Sequence, residues 1–186
     1  MSSARQGRAR QSTLTLIGAL AASFAIVLVV VLLTVRPANT DRGDVDWSAV
    51  WSSTDSHVTL VNPDFTSADG DWWSNRAEYV SGDFPEWYIG FVSPTNGFVA
   101  VEQFTGDPAP DIASQLNDVT PTMETVAGLT WAVFDRTAVD DPGNREIIYF
   151  LTGLPENGSL MVSGSATLDE IELVATRAVE SLGGTP

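Results

Sequence analysis

The sequence contains no cysteine and no lysine, one histidine, and nine arginines against 24 aspartates and glutamates. Each shortage removes a class of chemistry. Without cysteine there is no disulfide, thiolate nucleophile or iron–sulfur ligand, so a folded domain depends on its apolar core. Without lysine, Schiff-base and lysine-activated mechanisms are excluded. The one histidine, His57 in DSHVTL, is too few for a zinc site. No Gly-x-Ser-x-Gly elbow supplies a nucleophile for it to activate, so it reads as a surface or structural residue. No basic cluster exists outside the N-terminal tail, which argues against nucleic acid as a partner. Gly128 and the glycines of VSGSA lack the spacing of a phosphate cradle, and no cofactor is expected.

Charge is absent altogether from residues 14–35, LTLIGALAASFAIVLVVVLLTV. A helix of these 22 residues, rising about 1.5 Å per residue, reaches roughly 33 Å, against about 30 Å of bilayer hydrocarbon. Arg36 and Pro37 close the run and no small-x-small site follows, which favours an uncleaved anchor over a cleaved signal. The preceding tail carries Arg5, Arg8 and Arg10 and no acid, whereas the chain beyond the run holds all 24 acids. Because positive flanks stay inside, the N-terminus is expected in the cytoplasm and the C-terminal part outside. The expected organisation is a cytoplasmic basic tail (1–13), a transmembrane helix (14–35), a tether (36–46) and an extracytoplasmic domain (47–186) of a single-pass cell-membrane protein. The acidity of that domain suits cations or basic partners, although solubility alone accounts for it.

Asp46 is placed to cap a short helix, WSAVWSS, whose Trp47 and Trp51 either dock onto the domain or meet the lipid interface; docking is favoured. Strand patterns follow. In DWWSNRAEYV, Trp73, Ala77 and Tyr79 alternate with Ser74, Arg76 and Glu78. GLTWAVFDR puts Leu129, Trp131 and Val133 on one side. REIIYFL is apolar on both faces, as a central strand is, and SLMVSGSA closes the sheet. Asp107-Pro108 reads as a helix start. Thr167 and Glu170 form a capping box ahead of a helix with Leu168, Ile171, Ala175, Ala178 and Leu182 on its apolar face. The predicted fold class is α+β: one N-terminal transmembrane helix, then one domain with a mostly antiparallel sheet covered on one face by helices, including a C-terminal helix.

The densest aromatic stretch, EWYIGFVSPTNGFVAVEQF (86–104), reads as a hairpin closed near Asn96-Gly97. A two- or four-residue loop puts Trp87, Ile89, Phe91, Phe98, Ala100, Glu102 and Phe104 on one face, the core, and Tyr88, Gly90, Val92, Val99, Val101 and Gln103 on the other. Glu102 does not fit an aromatic core face unless it pairs with an arginine or lies at an edge, and a buried Glu102 lining a pocket would point to a binding site. The candidate binding residues are Glu102, Gln103, Tyr88 and Arg76. For Arg76, beside Glu78, and Arg136, after Asp135, surface pairing is the simpler role and anion binding the functional alternative. Asp64, Asp69 and Asp71, like Asp140 and Asp141, sit in turn-rich segments without calcium-loop spacing. Neither catalytic nor metal-binding residues stand out.

WYIGFVSPTNGFVAVEQ (87–103), GLTWAVFDR (128–136) and SLMVSGSATLDEIELVA (159–175), in that order after an Arg-rich tail and one apolar run, resemble the actinobacterial membrane proteins grouped as domain of unknown function 4245. The resemblance covers nearly the whole chain, with Asp-Trp-Trp at 71–73 where relatives tend to carry Gly-Trp. It implies an actinobacterial envelope protein with a single N-terminal anchor, and it supplies no activity and no catalytic residues. The functional expectation is a non-catalytic interaction module of the cell envelope. Beside it stand a small-ligand or lipid binding module, motivated by the aromatic density, and a carboxylate-dependent envelope hydrolase, which needs two carboxylates about 5 to 9.5 Å apart in a cleft. The expected partners are the chain's own membrane and an envelope protein or small apolar ligand. The sequence sets no oligomeric state.

Overall fold

The computed structural model describes Leu20, Phe24 and residues 43–56, 58–106, 108–117, 119–154 and 158–183. The chain divides into two units, Met1–Asp41 and Arg42–Pro186. In the first, Leu20 and Phe24 are helical and exposed. Apart from those two positions the expected tail and transmembrane helix lie outside the described residues, as do most of the expected tether, His57 and Asp107. Among the described residues no helix is long and apolar enough to cross a membrane.

The second unit is built on one sheet whose strands, β1 (Trp73–Val80), β2 (Glu86–Val92), β3 (Phe98–Phe104), β4 (Thr122–Val126), β5 (Leu129–Asp135), β6 (Ile147–Leu154) and β7 (Gly158–Gly164), lie in the order β1-β2-β3-β7-β6-β5-β4. Every pairing is antiparallel. Two meanders, β1–β3 and β4–β7, thus meet where β3 pairs with β7. The strand expected to close the sheet is its centre, and all seven residues of β7 are buried. At its end the strand approaches β3 closely: a Cβ on Gly164 would stand 2.1 Å from the carbonyl oxygen of Phe98. β4 has no counterpart in the sequence reading, because four of its five residues are exposed and no apolar alternation marks it. Its sign is the turn Ala127-Gly128, both at positive φ (51° and 78°), the conformation of a two-residue hairpin loop.

Three helices accompany the sheet. In α1 (Trp47–Ser53) Asp46 accepts a hydrogen bond from the Ala49 amide at 2.9 Å, as its position predicts. α3 (Leu168–Ser181) opens with the Thr167/Glu170 capping box. Its buried face is Ile171, Val174, Ala175, Ala178 and Val179; Leu168, assigned to that face by spacing, is exposed. α2 (Pro110–Leu116) starts at the second proline of DPAP, with Ala109 as an N-cap that makes no side-chain bond. α2 also corrects the expectation that all helices share one face. Its Ile112 packs on Phe104, Phe134, Ile148 and Met161, which project from the opposite face to the one α3 covers.

Two local irregularities set the register. At β1 a bulge lies between Ser74 and Arg76. Ser74 therefore joins Ala77 and Tyr79 opposite Phe91, Ile89 and Trp87, while Trp73 joins Arg76 and Glu78, so the expected phase of Trp73 and Ser74 is exchanged. The β2–β3 turn holds five residues, Ser93 to Gly97, since Val92 pairs with Phe98. It is closed by the Ser93 amide on Gly97 O at 2.9 Å, with Asn96 at φ 65°. Relative to a two- or four-residue loop this is an odd shift, and an odd shift moves every residue of one strand to the other face. Trp87, Ile89 and Phe91 consequently share a face with Gln103, Val101 and Val99, whereas Tyr88 stands opposite Glu102.

The main core lies between that first face and α3, with α1 and residues 58–65 completing it. Residues 59–63 belong to no helix or strand, and side chains bind their backbone. Gln103 accepts from the Val61 amide at 2.7 Å and donates to Thr59 O at 2.8 Å. The indoles of Trp87, Trp51 and Trp47 donate to Val61 O, Leu60 O and Pro63 O. The two tryptophans of α1 thus dock on the domain, and Trp47 meets Phe91 edge-on at 5.3 Å. The Val45 amide donates to Ser74 O, so the last tether residues join the domain as well.

The central approach of β7 to β3 gives a direct test. Gly164→Ala is expected to lower the stability of the domain by about 1 to 3 kcal/mol, the usual penalty of overpacking, measured as a shift of the urea midpoint at constant slope. A midpoint equal to wild type would mean that the β3–β7 spacing is looser than described.

Candidate functional site

Glu102 sits in the middle of β3 on the α2 side of the sheet, opposite Tyr88 of β2 and Met161 of β7. It is only 1% exposed. A carboxylate there is costly unless bonded, and its partner comes from the β5–β6 connection, residues 136–146. Arg145 Nη2 donates to Glu102 Oε2 at 2.8 Å, and Arg145 Nη1 donates to Gln115 Oε1 of α2 at 3.3 Å.

The connection is shaped by its own backbone. The Arg136 amide donates to Glu146 O at 2.7 Å, and Asp141 and Gly143 take left-handed φ values of 55° and 62°. Arg136, expected as a surface residue paired near Asp135, is instead 4% exposed. Its Nη1 donates to Arg145 O at 3.0 Å and Pro142 O at 3.4 Å, pulling the two ends of the loop together. Asp135 is occupied by Thr137, accepting from both its amide and its hydroxyl.

Between this loop, α2 and the sheet lies a cavity of about 490 Å³. Tyr88, Phe98, Ala100 and Glu102 form its sheet side; Gln115, Arg136, Asp141, Pro142, Gly143, Asn144 and Arg145 complete it. With the neighbouring carboxyls ionised, no N–H or O–H donor among the described residues reaches Glu102 Oε1. Burial pushes the Glu102 carboxyl up to about 7, Arg145 opposes the rise, and the neighbouring Glu86 adds to it. Burial also raises Glu86, against Arg145. The two carboxyls bond to each other only while a proton lies between them. Tyr88 is raised by burial and then by Glu102. Its ring runs back over Gly90, where a Cβ would come 2.6 Å from Asn75 Oδ1 and 3.2 Å from the Tyr88 hydroxyl.

The four candidate residues separate accordingly. Glu102 and Tyr88 meet at the cavity. Arg76 stands beside them, its guanidinium 5.0 Å from the Tyr88 ring centre and paired with Glu78, outside the lining. Gln103 faces the opposite side of the sheet and is occupied by residues 59–61. Arg145, Gln115 and Glu86 were missed by the sequence reading. Arg145 follows a turn signal and lies 43 residues from its partner, so only the expectation that Glu102 takes an arginine pointed to it. The other acidic segment is structural: Asp69 accepts from Thr66 and pairs with Arg177 at 3.0 Å, which together hold its carboxyl below the usual range. Among the described residues no group of three or more His, Asp or Glu is arranged to hold a metal ion.

Fold and cavity together define an antiparallel α+β domain that carries an open, ligand-sized cleft beside a partly buried ion pair. The chain belongs to the family described as protein of unknown function DUF4245, whose profile matches residues 8–178. No curated protein and no solved structure matches it.

The pH dependence of stability follows from Glu102. Its folded value lies above its ordinary 4.5, so the stability it contributes is full below about pH 4.5 and is lost as pH rises through about 7. The wild type is therefore expected to lose on the order of 3 kcal/mol relative to Glu102→Gln between pH 4.5 and pH 8, read by urea unfolding of both proteins at each pH. Parallel profiles would show that Glu102 is already ionised at pH 4.5.

Proposed function

We propose that this chain is a membrane-tethered domain of an actinobacterial cell envelope that binds a small ligand, without turnover, in the cavity over Glu102. The observation that carries the binding reading is a buried carboxylate with one oxygen lacking a donor, lining a space of about 490 Å³. That volume falls within the roughly 300–1,000 Å³ of small-molecule sites. It favours ligand binding over the broader expectation of an interaction module. The lining mixes aromatic and ionic groups, so the ligand combines a polar group with a small apolar body rather than a long hydrocarbon chain. The polar groups are engaged with one another, Arg145 with Glu102 and Gln115, and Arg136 with its own loop, which suits holding a molecule rather than transforming it.

The tether is supported by the uncharged run at 14–35, the arginines before it and the acids after it. The same distribution supports a cytoplasmic N-terminus and a C-terminal domain outside.

Two measurements test these parts separately. In intact cells, single cysteines introduced into the cysteine-free chain at Ser81, which is exposed, and at Ser3 are treated with a membrane-impermeant maleimide. Labelling of S81C alone is expected, and labelling of S3C alone reverses the topology. For binding, ligand-observed NMR with the full chain in nanodiscs and an unbiased pool of small molecules is expected to yield hits that Glu102→Gln removes. A pool with no such hit sinks the ligand-binding reading.

A further inference from the structure

The ligand class of this cavity follows from which of its hydrogen-bonding groups are already used, and the inference rests on the small-ligand reading above. Two guanidiniums in the lining suggest at first an anion. Three of their nitrogens are engaged, however. Arg145 gives Nη1 to Gln115 and Nη2 to Glu102, and Arg136 gives Nη1 to two loop carbonyls. An incoming anion would compete with these bonds, and it would face the carboxylates of Glu102 and Asp141. Glu102 Oε1, an acceptor on a side chain 1% exposed, has capacity to spare.

Charge points the same way. Within the lining Glu102 and Asp141 balance Arg136 and Arg145, and the neighbouring Glu86, when ionised, adds one negative charge to the cluster. The nearby Arg76 is paired with Glu78. One further positive charge on a donor neutralises the cluster and supplies the bond that Oε1 lacks; a charge-assisted bond of this kind is about twice as strong as a neutral one. The apolar part of the lining, Phe98, Ala100 and the Tyr88 ring, accepts a short hydrocarbon or aromatic body. The chain's formal charge of −15 raises the local concentration of cations around it.

We infer that the cavity takes a small organic cation carrying a primary ammonium, whose N–H donates to Glu102 Oε1 while its apolar body lies against Phe98 and Ala100. The Glu102–Arg145 ion pair stays in place and orients the carboxylate.

Benzylamine, benzyl alcohol and benzoate share one body and differ in the donor and the charge. Binding of each to the full chain in nanodiscs at pH 8 is measured by calorimetry, with wild type and Glu102→Gln. Independently of any variant, the 13C-carboxyl resonance of Glu102 in the wild type is followed during each titration. The expected result is benzylamine at least tenfold tighter than benzyl alcohol, benzoate weaker than both, a preference of less than threefold in Glu102→Gln, and movement of the Glu102 carboxyl with benzylamine. Tighter binding of benzoate or the alcohol, or an amine preference that survives in Glu102→Gln with a stationary Glu102 resonance, overturns the ammonium assignment and leaves a small-ligand site of another class. If none of the three binds at millimolar concentration the assignment falls. The small-ligand reading falls with it only when the unbiased pool also yields no Glu102-dependent hit.

Discussion

The structure depends on one constraint: β3 is buried on both faces, yet two consecutive residues in it are polar. Glu102 and Gln103 are 1% and 5% exposed and project to opposite sides of the sheet. A buried polar group left unsatisfied costs about 1 to 3 kcal/mol, more if charged, so each side must bring a partner from elsewhere in the chain. On the α3 side Gln103 ties down residues 59–61, a segment outside the sheet, with help from the indoles of Trp87 and Trp51. On the α2 side Glu102 draws in Arg145 and with it the loop that walls the cavity. The two coverings of the sheet are thus each fastened to adjacent positions of one strand. The difference between them is functional. Gln103 has both ends of its amide used, whereas Glu102 uses one oxygen of two.

Much of the fold was legible because it is written in local patterns. The Asp46 cap, the Thr167/Glu170 box, the alternation in LTWAVF and the two-faced apolar run of IIYFL each depend on neighbours a few residues apart, and each appears as expected. Parity was not legible. The hairpin face of Glu102 turned on whether the loop held an even or odd number of residues, and the face of Trp73 on a bulge at Asn75; neither is marked in composition. β4 escaped because an exposed edge strand has no apolar period to display. The central position of β7 is a matter of topology, which local pattern does not encode.

The candidate site shows the same division. Glu102 could be singled out as a charge interrupting an apolar strand, and that misfit survived the error in its assigned face. Arg145, Gln115 and the loop backbone could not, because the cavity exists only where α2 and the β5–β6 connection converge on the sheet. Asp69, read from the sequence as a turn residue, is engaged by its turn and by Arg177. A residue type that looks reactive in sequence is informative only after its partners have been counted.

The joining of two meanders by β3 and β7 also orders events in time. Within each meander, neighbouring strands are linked by short connections and form at little loop-closure entropy. The β3–β7 seam instead pairs residues as distant as Val99 and Gly164, and α2 with the whole second meander must be in place before it is complete. Such non-local pairing is the slow part of folding. Until the seam closes, β3 and the fully buried β7 are bare strand edges, so the strand that carries Glu102 is one of two open to pairing with the wrong chain during biogenesis.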